Sequence, residues 1–128
     1  MCGISGILSL SSGQGANPGL LKSMTDLIRH RGPDDEGFLF ASSGGMQSFS
    51  GKESTEEVKG LYPDVETAQP SSLAMGFRRL SVLDLSVCGH QPLQDSGLAI
   101  SFNGEIYNYL ELMQELSAAG YSFKGHSD

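Results

Sequence analysis

The chain has 128 residues, a formal net charge of -7, 38% hydrophobic residues and no Trp. That length is one domain or a piece of one, and eight basic against fifteen acidic residues exclude nucleic acid and anionic membrane as main partners. Two cysteines are too few for a disulfide framework, and neither a secretory leader nor an apolar run of membrane-spanning length is read, so a reducing, cytoplasmic setting is expected.

Along the chain, Cys2, Ile4, Leu8 and Leu10 fall on one face of a strand and Gly3, Ser5, Ile7 and Ser9 on the other. Both faces are partly apolar, which predicts an interior strand. The loop over 11–15 begins like a dinucleotide glycine motif, but Pro18 stands where the last glycine belongs, so no phosphate role follows. Asn17-Pro18 predicts an N-cap with Pro at the first helical position. Leu20, Leu21, Met24, Leu27 and Ile28 mark an amphipathic helix over roughly 18–30. Arg29, His30 and Arg31 suit its C-terminal dipole, and Gly32-Pro33 stops it. Residues 34–37 read as a turn and 38–41 as a short strand. The Ser-, Gly-, Glu- and Pro-rich stretch 42–70 reads as an exposed insertion, partly disordered. Leu73 to Leu80 is a strand, 88–92 a loop and 98–102 a strand that ends at Asn103-Gly104, the best hairpin signal in the chain. A second helix starts at Asn108, with Glu111 completing a capping box and Tyr107 and Leu112 a hydrophobic staple. Leu112, Met113 and Leu116 form its apolar face, Gly120 stops it, and 121–123 return to strand. This mixture predicts an α+β layered domain.

The chemistry begins at Cys2. Met1 is readily trimmed before a small residue, which leaves Cys2 with an α-amine and a thiol. The amine has a reference pKa of about 7.7–8.0 and so is partly neutral near pH 7. The thiol, at about 8.5, needs a base to become the nucleophilic thiolate. A nucleophile activated by its own terminal amine is a known mode of covalent catalysis. The rival reading is a small buried hydrophobe at a strand start. Cys88 has no such amine and reads as an ordinary thiol. With His90 it supplies only two ligands, thin evidence for a metal site.

Five segments then carry a family resemblance. They are Met1-Cys2-Gly3-Ile4, Arg29-His30-Arg31-Gly32-Pro33-Asp34, Arg79-Leu80-Ser81-Val82-Leu83-Asp84, Asn103-Gly104-Glu105-Ile106-Tyr107-Asn108 and Ser127-Asp128. In this order they resemble the glutamine amidotransferase domain of glutamine-hydrolysing asparagine synthetases, a class II, N-terminal-nucleophile glutaminase. The resemblance covers nearly the whole chain outside 42–70.

The resemblance implies a sandwich of two antiparallel sheets flanked by helices, with 1–128 as a glutaminase domain incomplete at its C-terminal end. It implies L-glutamine as substrate and Cys2 as nucleophile. The Asn103 side-chain amide and the Gly104 backbone N–H would form the oxyanion hole. Arg79 would hold the substrate α-carboxylate, with backbone groups of Leu80, Ser81, Val82 and Leu83 lining the pocket. Glu105 and Asp128 would face the α-ammonium. The Arg29–Asp34 block supports the pocket and is kept off the catalytic list. Arg78 matches a variable family position and receives no role, while His30 and His90 read as helix-end and loop residues. No cofactor is expected in this domain, and ATP and Mg belong to an absent C-terminal synthetase domain that amidates aspartate. Three alternatives stay open: another ammonia acceptor, a non-catalytic glutamine-binding or regulatory domain, and a partner-binding fragment. The oligomeric state is open too, a homodimer included.

Overall fold

The computed structural model describes residues 1–10, 15–82, 86–123 and 125. Strands β1 (Gly3–Leu8), β2 (Asp35–Ser42), β3 (Gly45–Phe49) and β4 (Leu73–Arg79) form an antiparallel sheet in the order β1-β4-β2-β3. Strands β5 (Leu93–Asp95) and β6 (Leu98–Ile100) form a separate antiparallel hairpin. Helices α1 (Pro18–Leu27), α2 (Glu56–Leu61) and α3 (Tyr109–Ala118) complete an α+β fold. Among the described residues no helix is long and apolar enough to cross a membrane.

Strand β1 is an edge strand, not the interior strand its two-sided pattern suggests. Among the described residues it pairs only with β4, Gly3 opposite Arg78 through to Leu8 opposite Leu73. Its Ile4 and Leu8 are exposed. The other face is covered by α1. That helix starts as its sequence dictates, with Asn17 Oδ1 accepting the Leu20 N–H at 3.0 Å and Pro18 in the first turn. Leu21 and Thr25 are its buried residues, and Thr25 Oγ1 shares a hydrogen bond with Ser5 Oγ of β1 at 2.7 Å. The helix ends at Leu27, and Arg29–Arg31 form a separate 3-10 turn.

The stretch 42–70 is not a loose exposed insertion. It contributes β3 to the sheet, paired with β2, and its Phe49, Val65 and Ala68 join Leu21, Phe38, Phe40 and Ala74 in one core. Phe40 and Phe49 meet edge to face at 5.5 Å, a favoured arrangement of aromatic quadrupoles. The polar residues that suggested disorder serve instead as caps and turn ligands. Thr55 caps α2 through the Val58 N–H, and Ser54 Oγ donates to the Glu36 carbonyl at 2.6 Å. Strand β2 likewise begins at Asp35, inside the expected turn, because Asp35 and Glu36 pair with Arg79 and Arg78 of β4.

Arg78, given no role from sequence, anchors this region from inside. It is 1% exposed. Its Nε donates to the Thr25 carbonyl at 3.2 Å, and its terminal nitrogens reach Glu53 Oε2 at 2.6 Å, Asp26 Oδ1 at 2.7 Å and Glu36 Oε2 at 3.0 Å. The contact to Glu36 is an ion pair without hydrogen-bond alignment, which leaves Oε2 without a bonding partner. Burial raises the Glu36 pKa above its ordinary 4.5, against the Glu53 N–H and the Arg78 charge, which lower it.

The C-terminal part departs most from expectation. The hairpin turn falls at Ser96-Gly97, with φ of 48° and 81°, the left-handed pair that a two-residue turn requires. Asn103-Gly104 is not that turn, since among the described residues no strand follows to pair back. Asn108 makes no side-chain cap, so the capping box does not form. Gly120, at φ 94°, does stop α3. Its N–H reaches the Ser117 carbonyl and that of Tyr121 the Leu116 carbonyl, both at 3.0 Å, a Schellman closure. No residue of α3 is buried, so Leu112, Met113 and Leu116 do not form a packed face, and 121–123 are irregular.

Candidate active site at the first strand end

Alternation places the site. Gly3 and Arg78 are opposite partners on the face that α1 covers. Their neighbours Cys2 and Arg79 therefore belong to the other face. Asp35, opposite Arg79 on β2, joins them. One sheet face thus carries Cys2, Arg79 and Asp35 across three adjacent strands.

Cys2 is half-buried. Its Sγ accepts the Leu80 N–H at 3.3 Å, and its carbonyl accepts the Arg31 Nε–H at 3.0 Å. Asp34 fixes the facing strand end, its N–H donating to the Arg79 carbonyl at 3.1 Å and its Oδ2 accepting the Ser81 N–H at 2.8 Å. Gly32 lets the two segments meet, since a Cβ there would lie 2.5 Å from the Arg78 carbonyl carbon. Beside Cys2, an open depression of about 400 Å³ is lined by Met1, His30, Arg31, Pro33 and Leu80. The block over 29–34 is thus built directly onto the candidate nucleophile. Sequence reasoning left Arg31 and Asp34 off the site, although two charges flanking a Gly-Pro stop were a usable signal.

Arg79 is buried, with Nη1 donating to the Ser86 carbonyl at 2.8 Å. Leu80 is half-buried, Ser81 is engaged by Asp34, and Val82 is exposed. Leu83 and Asp128 lie outside the described residues. Asn103, Gly104 and Glu105 are exposed, and no described hydrogen bond joins them to Cys2 or Leu80. The link from their segment runs through Phe102, whose N–H donates to Gln91 Oε1 at 2.6 Å. The described hydrogen bonds thus join Cys2 to Leu80, the residue after Arg79, while Asn103, Gly104 and Glu105 lie exposed on the adjoining segment.

Cys88 is exposed, while His90 is buried with Nδ1 2.6 Å from Asp35 Oδ2. Among the described residues no group of three or more His, Cys, Asp or Glu could hold a metal ion.

Comparison with known proteins adds an independent line. The family model described as a glutamine amidotransferase domain matches residues 52–128. Asparagine synthetase (glutamine-hydrolyzing) 1 of Bacillus subtilis is 37% identical over 85% of this chain and 13% of its own length. Asparagine synthetase (glutamine-hydrolyzing) 2 of the same organism is 36% identical over 100% of this chain, again 13% of its length. An amidase of Gibberella zeae, chry2, is 30% identical over 100% of this chain and 16% of its length. The chain therefore spans about an eighth of the length of the two synthetases. No solved structure matches it significantly.

Proposed function

Because the chain belongs to the glutamine amidotransferase domains of glutamine-hydrolysing asparagine synthetases, we propose that it hydrolyses L-glutamine to glutamate and ammonia through a thioester on Cys2. The supporting observation is the seating of Cys2 Sγ against the Leu80 N–H at the end of the strand that carries Arg79. Met1 is 76% exposed, so an aminopeptidase can reach it and free the Cys2 amine. That amine takes the thiol proton. The thiolate attacks the glutamine Cδ, and the carbonyl electrons move onto oxygen. Asn103 and Gly104 are the donors we assign to that oxyanion. As the tetrahedral centre collapses, the amide nitrogen takes the proton and leaves as ammonia. Water then attacks the γ-glutamyl thioester, glutamate departs and the thiol is restored.

Arg79 is the residue we assign to the α-carboxylate, since a guanidinium can pair with both oxygens. Glu105 and Asp128 are assigned to the α-ammonium. We read the fold as the N-terminal-nucleophile type, with β1-β4-β2-β3 as one of its two sheets. We assign the fate of the ammonia to a synthetase domain of the kind its longer relatives are named for. We propose ATP- and Mg-dependent amidation of aspartate there; the names of the two synthetase relatives support asparagine synthesis, whereas one relative bears the name of an amidase. The test is Cys2→Ala in the full chain. It should abolish glutamate release from glutamine while sparing synthesis driven by free ammonia. Wild-type glutamate release would remove Cys2 as nucleophile.

A further inference from the structure

One buried ionisable pair has no place in that mechanism: His90 and Asp35. Asp35 is 1% exposed and His90 5%. Asp35 stands directly opposite Arg79 in the β2–β4 ladder, a spacing at which opposite charges pair readily. Yet Asp35 Oδ2 takes the His90 ring and Oδ1 takes the Thr55 N–H at 3.1 Å. The His90 ring is itself fixed. It stacks on Tyr62 with centroids 5.6 Å apart, and it lies against Gly37, where a Cβ would strike its edge.

From that anchor the chain runs straight back to Arg79. The His90 N–H closes the turn onto the Val87 carbonyl at 2.9 Å, and Gly89 lies against the Arg79 guanidinium. Ser86 then accepts from Arg79 Nη1 at 2.8 Å. Residues 86–90 thus form a short arm, fixed at His90 and gripping Arg79 at Ser86 and Gly89.

We propose that the buried His90–Asp35 pair is a positioning device for Arg79, holding its guanidinium where it can receive the α-carboxylate of an amino-acid substrate. The device works in two ways. It fixes the arm that sets the guanidinium's place. It also occupies Asp35, the neighbouring carboxylate that would otherwise draw Arg79 into an internal ion pair in competition with substrate. The inference rests on the assignment of Arg79 to the substrate carboxylate.

The test measures glutamate release against glutamine concentration in the full chain with Met1 removed. His90→Ala should raise KM about tenfold or more while kcat at saturating glutamine stays within about twofold, the signature of a misplaced binding group rather than a lost chemical one. His90→Asn, whose amide can replace Nδ1–H, should restore a near wild-type KM. Adding Asp35→Asn to His90→Ala should lower KM again, because the competing carboxylate is gone; a purely structural pair predicts no recovery. An unchanged KM in His90→Ala, a fall in kcat alone, or a double variant no better than the single overturns the proposal. Should His90→Ala fail to fold, Gly89→Ala decides. Its methyl displaces the guanidinium without touching His90, and an unchanged KM counts against the device. Arg79→Ala separates the two levels. If it leaves KM unchanged, the substrate assignment itself falls; if it raises KM while the His90 and Gly89 variants do not, only the positioning device falls.

Discussion

The side chains at the first strand end divide by face, and their energetics divide with them. Cys2 and Arg79 lie on one side, the half-buried thiol beside the strand end and the guanidinium under the arm over 86–90. Arg78 looks to the other, where it is closed in by Asp26, Glu36 and Glu53. That cluster gives a pH prediction. The folded state holds the Glu36 proton above the ordinary 4.5, so the folded chain binds more protons than the unfolded one in that window. Glu36 therefore contributes stability that is present below pH 4.5 and is lost as pH rises through its raised folded value. A series of melting temperatures should show wild type losing ground to Glu36→Gln as pH climbs from 4.5; parallel curves would refute it. On the catalytic side, Asn103→Ala should lower the rate of glutamine hydrolysis by about 10²–10³ with the fold retained, the usual cost of one oxyanion donor. A rate within about twofold of wild type would make Asn103 a plain surface residue.

At the level of elements, sequence reading succeeded where local chemistry decides and failed where long-range pairing does. Asn17-Pro18 and Gly120 mark their helix ends as expected, because caps use only neighbouring atoms. Replacing Asn17 by Ala should cost about 1 kcal/mol in denaturant unfolding, the value of one N-cap; no measurable change would mean the cap bond is not formed in solution. Asn103-Gly104 misled because a turn signal says nothing about whether a strand returns. Ser96-Gly97 had one on each side. The stretch over 42–70 misled through its composition, since Ser54 and Thr55 serve as turn ligand and cap while Phe49, Val65 and Ala68 reach the core. The site was half legible. Cys2 and Arg79 stood out by residue type and motif, but Arg31, Asp34 and the His90–Asp35 pair depend on partners 29 to 55 positions away.

Over the whole molecule, the sheet acts as a plate with different uses on its two sides. One side is closed by α1 and the buried Arg78 cluster, which hold β1 and β4 in register. The other presents Cys2 and Arg79, with the arm over 86–90 and the block over 29–34 fixing their surroundings. The hairpin β5–β6 and α3 stand outside this plate, tied to it by the Phe102–Gln91 bond and by Gln94, which meets Ser48 and Met46 at 3.4 Å. In the proposed reaction Cys2, once Met1 is gone, carries the glutamyl group. The most direct measurement is acid-quenched mass spectrometry of the Met1-free chain during turnover of glutamine. One added glutamyl group is expected, mapped to the peptide that begins at Cys2 and absent from Cys2→Ala. Glutamate release with no adduct on Cys2, or an adduct mapped to Cys88, would contradict it.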